Sequence, residues 1–61
     1  MREIRVSDLN GAPDSARFVI MKKTAFGYID INEYFSKMSD AIERMIELPY
    51  TEYRVFEIEG R

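Results

Sequence analysis

The stretch "ARFVIMKKTAFGYID", residues 16–30, decides the fold because its apolar residues fill both faces of any strand drawn through it. In an extended chain successive side chains point to opposite sides, so Phe18 and Ile20 face one way while Val19 and Met21 face the other. A sheet in a small domain usually has one packed face and one wet face. The stretch therefore predicts a strand that needs covering on both sides.

The same stretch predicts a hairpin. "ARFVIM" and "AFGYI" are rich in the β-branched and aromatic residues typical of strands, and the polar "KKT" separates them. We expect Lys22, Lys23 and Thr24 at or near the hairpin tip. Gly27, inside the second strand, indicates a bulge or a close backbone approach.

Two further strands are predicted near the ends of the chain. "REIRV" alternates, with Ile4 and Val6 on one face, and "EYRVFEIEGR" alternates in the same way. Between the first strand and the hairpin lies "SDLNGAPDS", whose Asn10-Gly11 pair favours a tight turn.

A helix is predicted between the hairpin and the last strand. Asp30 is placed as its N-cap, with Glu33 completing a capping box, and Leu48-Pro49 closes it. We expect a helix from Ile31 to Glu47. A start near Ser39-Asp40, with "NEYFSK" as a loop, is the alternative. The predicted inward stripe recurs at spacings of three and four residues: Ile31, Tyr34, Phe35, Met38, Ile42, Met45 and Ile46.

These elements predict one α+β domain over residues 1–61, with the order β-β-β-α-β. It consists of a small antiparallel sheet of three to four strands with one helix packed on one face. A chain this short is marginally stable without disulfides, metal or association. The sequence contains no Cys and no His, so association is the remaining support, and we expect a homo-oligomer without cofactor or metal.

The helix can cover only one face, so apolar strand residues should remain for a partner. We predict a partner-binding surface of Val19, Met21, Tyr53 and Val55. In the alternative, the sheet curls or the loop "SDLNGAP" folds over these residues and hides them. A one-residue register slip exchanges the two faces, so the pattern alone leaves the inward set open.

Composition limits the function classes. Without His or Cys, and without an expected cleft, we do not expect an enzyme. "DLNGAPD" is better explained as a turn than as a calcium loop, because Val19 stands where that loop needs Glu. The net charge of −2 disfavours nucleic acid. The cluster best suited to binding single-stranded nucleic acid combines the basic residues Arg17, Lys22 and Lys23 with the aromatic residues Phe18, Phe26 and Tyr28.

The outer face of the helix is expected to neutralise itself through the pairs Glu33–Lys37 and Asp40–Arg44, four residues apart. No apolar run is long enough to span a membrane, and "MREIRVSDLN" has no signal-peptide core, so we expect a cytoplasmic protein.

Three segments carry a resemblance to a known group: "VIMKK" (19–23), "DAIERMIEL" (40–48) and "YRVFEIEGR" (53–61). The organisation resembles that of very small tailed-phage host-takeover proteins. These include a phage antitoxin against a host ribonuclease toxin and short phage inhibitors of bacterial RNA polymerase. The resemblance covers about half of the chain. It implies a non-enzymatic module that binds one host protein stoichiometrically in the host cytoplasm. A small structural homodimer and a single-strand nucleic-acid binder are the alternatives.

Overall fold

A computed structural model describes residues 2–49 and 52–60 of the chain. The strands are β1 (Glu3–Ile4), β2 (Phe18–Thr24), β3 (Gly27–Phe35) and β4 (Tyr53–Ile58), and the helix is α1 (Met38–Glu47). A short 3-10 turn, Val6–Asp8, follows β1. The predicted α+β class and the order β-β-β-α-β are confirmed.

The four strands form one sheet in the order β1-β4-β2-β3. β2 lies at its centre and pairs antiparallel with both neighbours, so that Ile20 is opposite Val55 in β4 and Glu33 in β3. β1 pairs with β4 in parallel, and the Glu59 N–H donates to the Ile4 carbonyl at 2.8 Å. The sheet is therefore mixed, where the sequence predicted a purely antiparallel one.

The predicted helix start at Ile31 is wrong. Ile31 to Phe35 continue β3, where Tyr34 lies opposite Val19 and Phe35 opposite Phe18. The helix begins at Met38, and its N-cap Lys37 forms no side-chain capping bond. This start is close to the alternative at Ser39-Asp40, although most of "NEYFSK" is strand and not loop. The predicted end at Glu47 is confirmed.

A bulge in β3 explains why the strand resembled a helix. Ile20 lies opposite Glu33 while Met21 lies opposite Asp30, so Ile31 and Asn32 are extra residues. Asn32 takes a φ of 61°, in the left-handed region. Its N–H donates to the Asp30 carboxylate at 2.7 Å. Asp30 thus stabilises a bulge and does not cap a helix.

The hairpin turn also lies further along the chain than predicted. β2 runs through Lys22, Lys23 and Thr24, and the connection is formed by Ala25 and Phe26. Gly27 closes this turn with a φ of 109°, which other residues rarely adopt. No atom lies within 4 Å of a Cβ built at Gly27, so the glycine serves the turn and not a close approach.

Both faces of the sheet are covered by the chain itself. On one side, Val19 and Met21 join a buried cluster with Leu9 and Ala16 of the N-terminal segment and with Phe56 and Ile58 of β4. We call this side the loop face. The alternative in which "SDLNGAP" folds over the sheet describes this covering, because Leu9 and Ala12 both pack there.

The opposite side, the helix face, is covered by α1. Ile20 and Ala41 are completely buried there, and Arg44 of α1 bonds to Glu33, which lies opposite Ile20. The predicted inward stripe needs correction: Phe35 belongs to β3, and Ile42 is 43% exposed. Ala41 occupies the most buried helical position because its small side chain lets α1 approach the sheet closely.

Candidate interaction surface

The structure separates the four predicted partner-binding residues. Val19 is fully buried and Met21 is 3% exposed, both in the loop-face cluster. They were expected to face a partner, but the N-terminal segment already covers them. Tyr53 and Val55 are half-buried on the helix face, opposite Lys22 and Ile20. Half of the predicted set is therefore accessible, and it lies on the side of α1.

The basic and aromatic cluster considered for nucleic acid is also divided. Lys23 and Tyr28 lie opposite each other on the loop face, whereas Phe18 and Lys22 point to the helix face. Phe26 belongs to neither face, because it lies in the turn at the hairpin tip. These residues therefore do not form a single stacking platform.

Two isoleucines of α1 are the main apolar residues exposed on the helix side. Ile42 is 43% exposed and Ile46, one turn later, is 76% exposed. Residues four apart share one side of a helix, so the two side chains form a continuous apolar strip. We call Ile42 and Ile46 the α1 strip. Ile29 of β3, 48% exposed, points to the same side of the sheet.

Glu43 and Glu47 lie along one side of the α1 strip, whereas Asp40 lies on the opposite side of the helix. Asp40, Glu43 and Glu47 are exposed residues of the same helix. Arg44 is held by Glu33, with Nε and Nη2 each 3.2 Å from a carboxylate oxygen, and by Glu47 at 3.8 Å. The hydrogen bond and charge of Glu33 raise the pKa of Arg44 above its ordinary value. The pairs predicted within the helix are thus replaced by a link between α1 and β3.

Near the hairpin, the loop face carries positive charge, opposite in sign to the acidic residues of α1. The Arg2 guanidinium lies 5.9 Å above the centre of the Tyr28 ring, and Tyr28 packs edge-on against Phe56. Lys23 is opposite Tyr28, and Arg54 is opposite Met21 on the same face. We call Arg2, Lys23 and Arg54 the basic patch.

A groove of about 400 Å³ opens between the hairpin tip and the start of β4. It borders the basic patch, and its lining is Lys23, Thr24, Ala25, Glu52, Tyr53 and Arg54. Glu52 is the acidic member of this lining, so the groove has both signs of charge with an excess of positive charge.

The hairpin tip presents one aromatic ring to solvent. Phe26 is fully exposed. The turn that holds it is fixed by Thr24, whose hydroxyl donates to the Gly27 carbonyl at 2.7 Å and accepts from the Phe26 N–H at 3.2 Å. The backbone below the ring is therefore ordered before any contact is made.

Asp30 ties the N-terminal segment to the sheet. Its carboxylate accepts hydrogen bonds from the N–H of Asn10 at 2.8 Å, from the N–H of Asn32 and from the Tyr34 hydroxyl. Desolvation raises the pKa of Asp30, but these three bonds outweigh it, and the pKa lies below 3.8. Desolvation and the bond to Asp30 raise the pKa of Tyr34 to about 12. Asp30 is therefore a structural anion.

Within residues 2–49 and 52–60, no three acidic, His or Cys side chains are placed to hold a metal ion. In the same part of the chain, α1 is too short and too polar to cross a membrane.

Comparison of the chain with protein-family models, with curated proteins and with solved structures found no match.

Proposed function

We propose that the chain is a non-enzymatic protein-binding module that acts by stoichiometric contact with a protein partner. The observation that carries the proposal is the exposure of Ile42 and Ile46, one turn apart on α1. Both sheet faces are already covered within the chain, so these residues are surplus to its own core. Exposed apolar strips with a polar rim are typical of protein contacts.

Phe26 supplies a second contact in this proposal. Aromatic side chains bury a large area at interface centres. Because Thr24 already fixes the turn, burying the Phe26 ring costs less backbone ordering than it would on a mobile loop. The hairpin tip and α1 therefore replace the sheet face as the proposed contact surface.

A role as a phage-encoded inhibitor or antitoxin is the specific form of this proposal, and it rests on the resemblance described above. In that form the partner is one host protein in the host cytoplasm. The structural homodimer remains the alternative, because the same apolar strip serves either kind of partner.

Ile46→Asp tests the proposal. A tagged chain is used to capture proteins from bacterial lysate, and the bound fraction is quantified by mass spectrometry. The wild type should retain one stoichiometric partner, and Ile46→Asp should lose it, because the new charge would be buried without a partner. Phe26→Ser should weaken capture.

Val6→Asp is the matched control, since Val6 is a 40% exposed apolar residue outside α1. Circular dichroism should show that all variants remain folded. If Ile46→Asp and the wild type capture the same partner equally well, the proposed contact surface is wrong.

A further inference from the structure

We infer that copies of this chain associate head to tail, with the α1 strip of one copy seated on the basic patch of the next. The association rests on the α1 strip of the proposed function, with a second copy as its occupant, and adds a complementary surface on the opposite side of the sheet.

The two surfaces match in charge. The α1 strip is bordered on one side by Glu43 and Glu47, and the neighbouring Arg44 is paired with Glu33 and Glu47. The basic patch consists of three exposed cations, Arg2, Lys23 and Arg54. Opposite charges across an interface favour encounter and fix its orientation.

The two surfaces also match in apolar content. The α1 strip offers two isoleucines, and the patch surrounds Tyr28, whose ring lies beneath Arg2. Phe26 stands exposed at the end of the same hairpin. An isoleucine seated beside these rings would leave water while the carboxylates meet Lys23 and Arg54 at the rim.

Charge disfavours the simpler symmetric pairing. The α1 strip lies on the helix face, and the basic patch lies on the loop face of the same sheet. Two α1 strips facing each other would bring Glu43 and its acidic neighbours of both copies together, which like-charge repulsion opposes. A strip-to-patch contact is therefore heterologous. Because each copy keeps one unused surface, such contacts link further copies into a row.

The surface of the chain has room for two contacts. The chain exposes 4364 Å². A standard interface covers about 800 Å² on each partner, which is roughly a fifth of that surface. Two such contacts can be made by one copy because they lie on opposite sides of the sheet.

The test uses two variants that each disable one surface. Ile46→Lys places a cation in the α1 strip, and the double variant Lys23→Glu/Arg54→Glu reverses the patch. All of these positions are exposed, and circular dichroism checks folding. Each variant alone should sediment as a monomer, because every copy lacks the same half of the contact.

Mixing the two variants gives the decisive result. The intact patch of the Ile46→Lys chain should bind the intact strip of the other chain, so the mixture should form dimers that neither variant forms alone. The wild type should instead grow in mass with concentration. Raising the salt from about 50 to about 500 mM should weaken the association about tenfold, because the charge pairs are screened.

Charge reversals at the far ends of the strands serve as controls. Arg17→Glu and Glu59→Lys should associate like the wild type. Three outcomes would overturn the inference: a wild type that stays monomeric, a Lys23→Glu/Arg54→Glu variant that still self-associates, or a mixture that does not form the dimer. Because lysate capture is a separate measurement, loss of self-association with intact, Ile46-dependent capture would reject the head-to-tail contact and retain the proposed function.

Discussion

Val19 and Ile20 are consecutive residues of β2, and both side chains are completely buried although they point to opposite faces of the sheet. Val19 packs in the cluster with the N-terminal segment, and Ile20 lies on the side of α1. A single strand therefore joins two small cores. Each of them depends on a different covering segment.

The first prediction compares two isoleucines. Ile20→Ala should lower the free energy of unfolding by about 2–5 kcal/mol, because it removes buried methyl groups and leaves a cavity. Ile42→Ala should cost less than about 1 kcal/mol, because the side chain is already 43% exposed. Urea unfolding followed by circular dichroism measures both. A larger loss for Ile42→Ala than for Ile20→Ala would mean that α1 packs through a different side.

The second prediction concerns pH. The folded-state pKa of Asp30 is lowered below 3.8 by its hydrogen bonds, in spite of desolvation. Its contribution to stability is therefore fully present above the unfolded pKa and is lost as the pH falls through the folded pKa. Asp30→Asn should be less stable than the wild type near about pH 7, and this difference should shrink below about pH 4.

Thermal melts of both proteins across this pH range provide the measurement. Asp8→Asn, which removes an exposed carboxylate, controls for the change in net charge. A difference between Asp30→Asn and the wild type that stays constant down to strongly acidic pH would show that the Asp30 charge does not stabilise the fold.

Much of the fold could be predicted from the sequence because most strands have a clear signal. β-branched and aromatic residues identified β2 and the start of β3, and Leu48-Pro49 marked the end of α1. The start of α1 was missed because Ile31, Tyr34 and Phe35 recur at helical spacings. The two extra residues of the bulge produce that spacing within a strand, and periodicity alone cannot distinguish the two.

The candidate surface was less predictable. Val19 and Met21 were assigned to a partner because the covering segment, which includes Leu9 and Ala16, has no periodic pattern. The exposure of Ile46 is hidden for a related reason: the spacing of the large residues predicts that they face inward, whereas small Ala41 lies at the centre of the packed side. The small apolar residue Ala41 among larger ones was the available signal.

The third prediction concerns the bulge. Asn32 has a φ of 61°, a conformation that costs a residue with a Cβ about 1–2 kcal/mol unless its side chain tolerates it, as Asn does. Asn32→Ala should therefore lower the free energy of unfolding by about 1 kcal/mol, whereas Asn32→Gly should leave it unchanged or raise it slightly. Both keep the N–H that bonds to Asp30. Equal melting temperatures for the two variants would contradict the left-handed conformation.

The last prediction tests whether the N-terminal segment is a true part of the core. Leu9 is 9% exposed and belongs to the cluster with Val19 and Phe56, whereas Val6 in the same segment is 40% exposed. Leu9→Ala should lower the free energy of unfolding by about 2 kcal/mol or more, because it opens a cavity above the loop face. Val6→Ala should cost less than about 1 kcal/mol. Leu9→Ala should also increase binding of a hydrophobic dye, since Val19 and Met21 lose part of their covering. If Leu9→Ala melts like Val6→Ala and binds no more dye than the wild type, the segment does not cover the sheet in solution, and Val19 and Met21 return as candidate partner-binding residues.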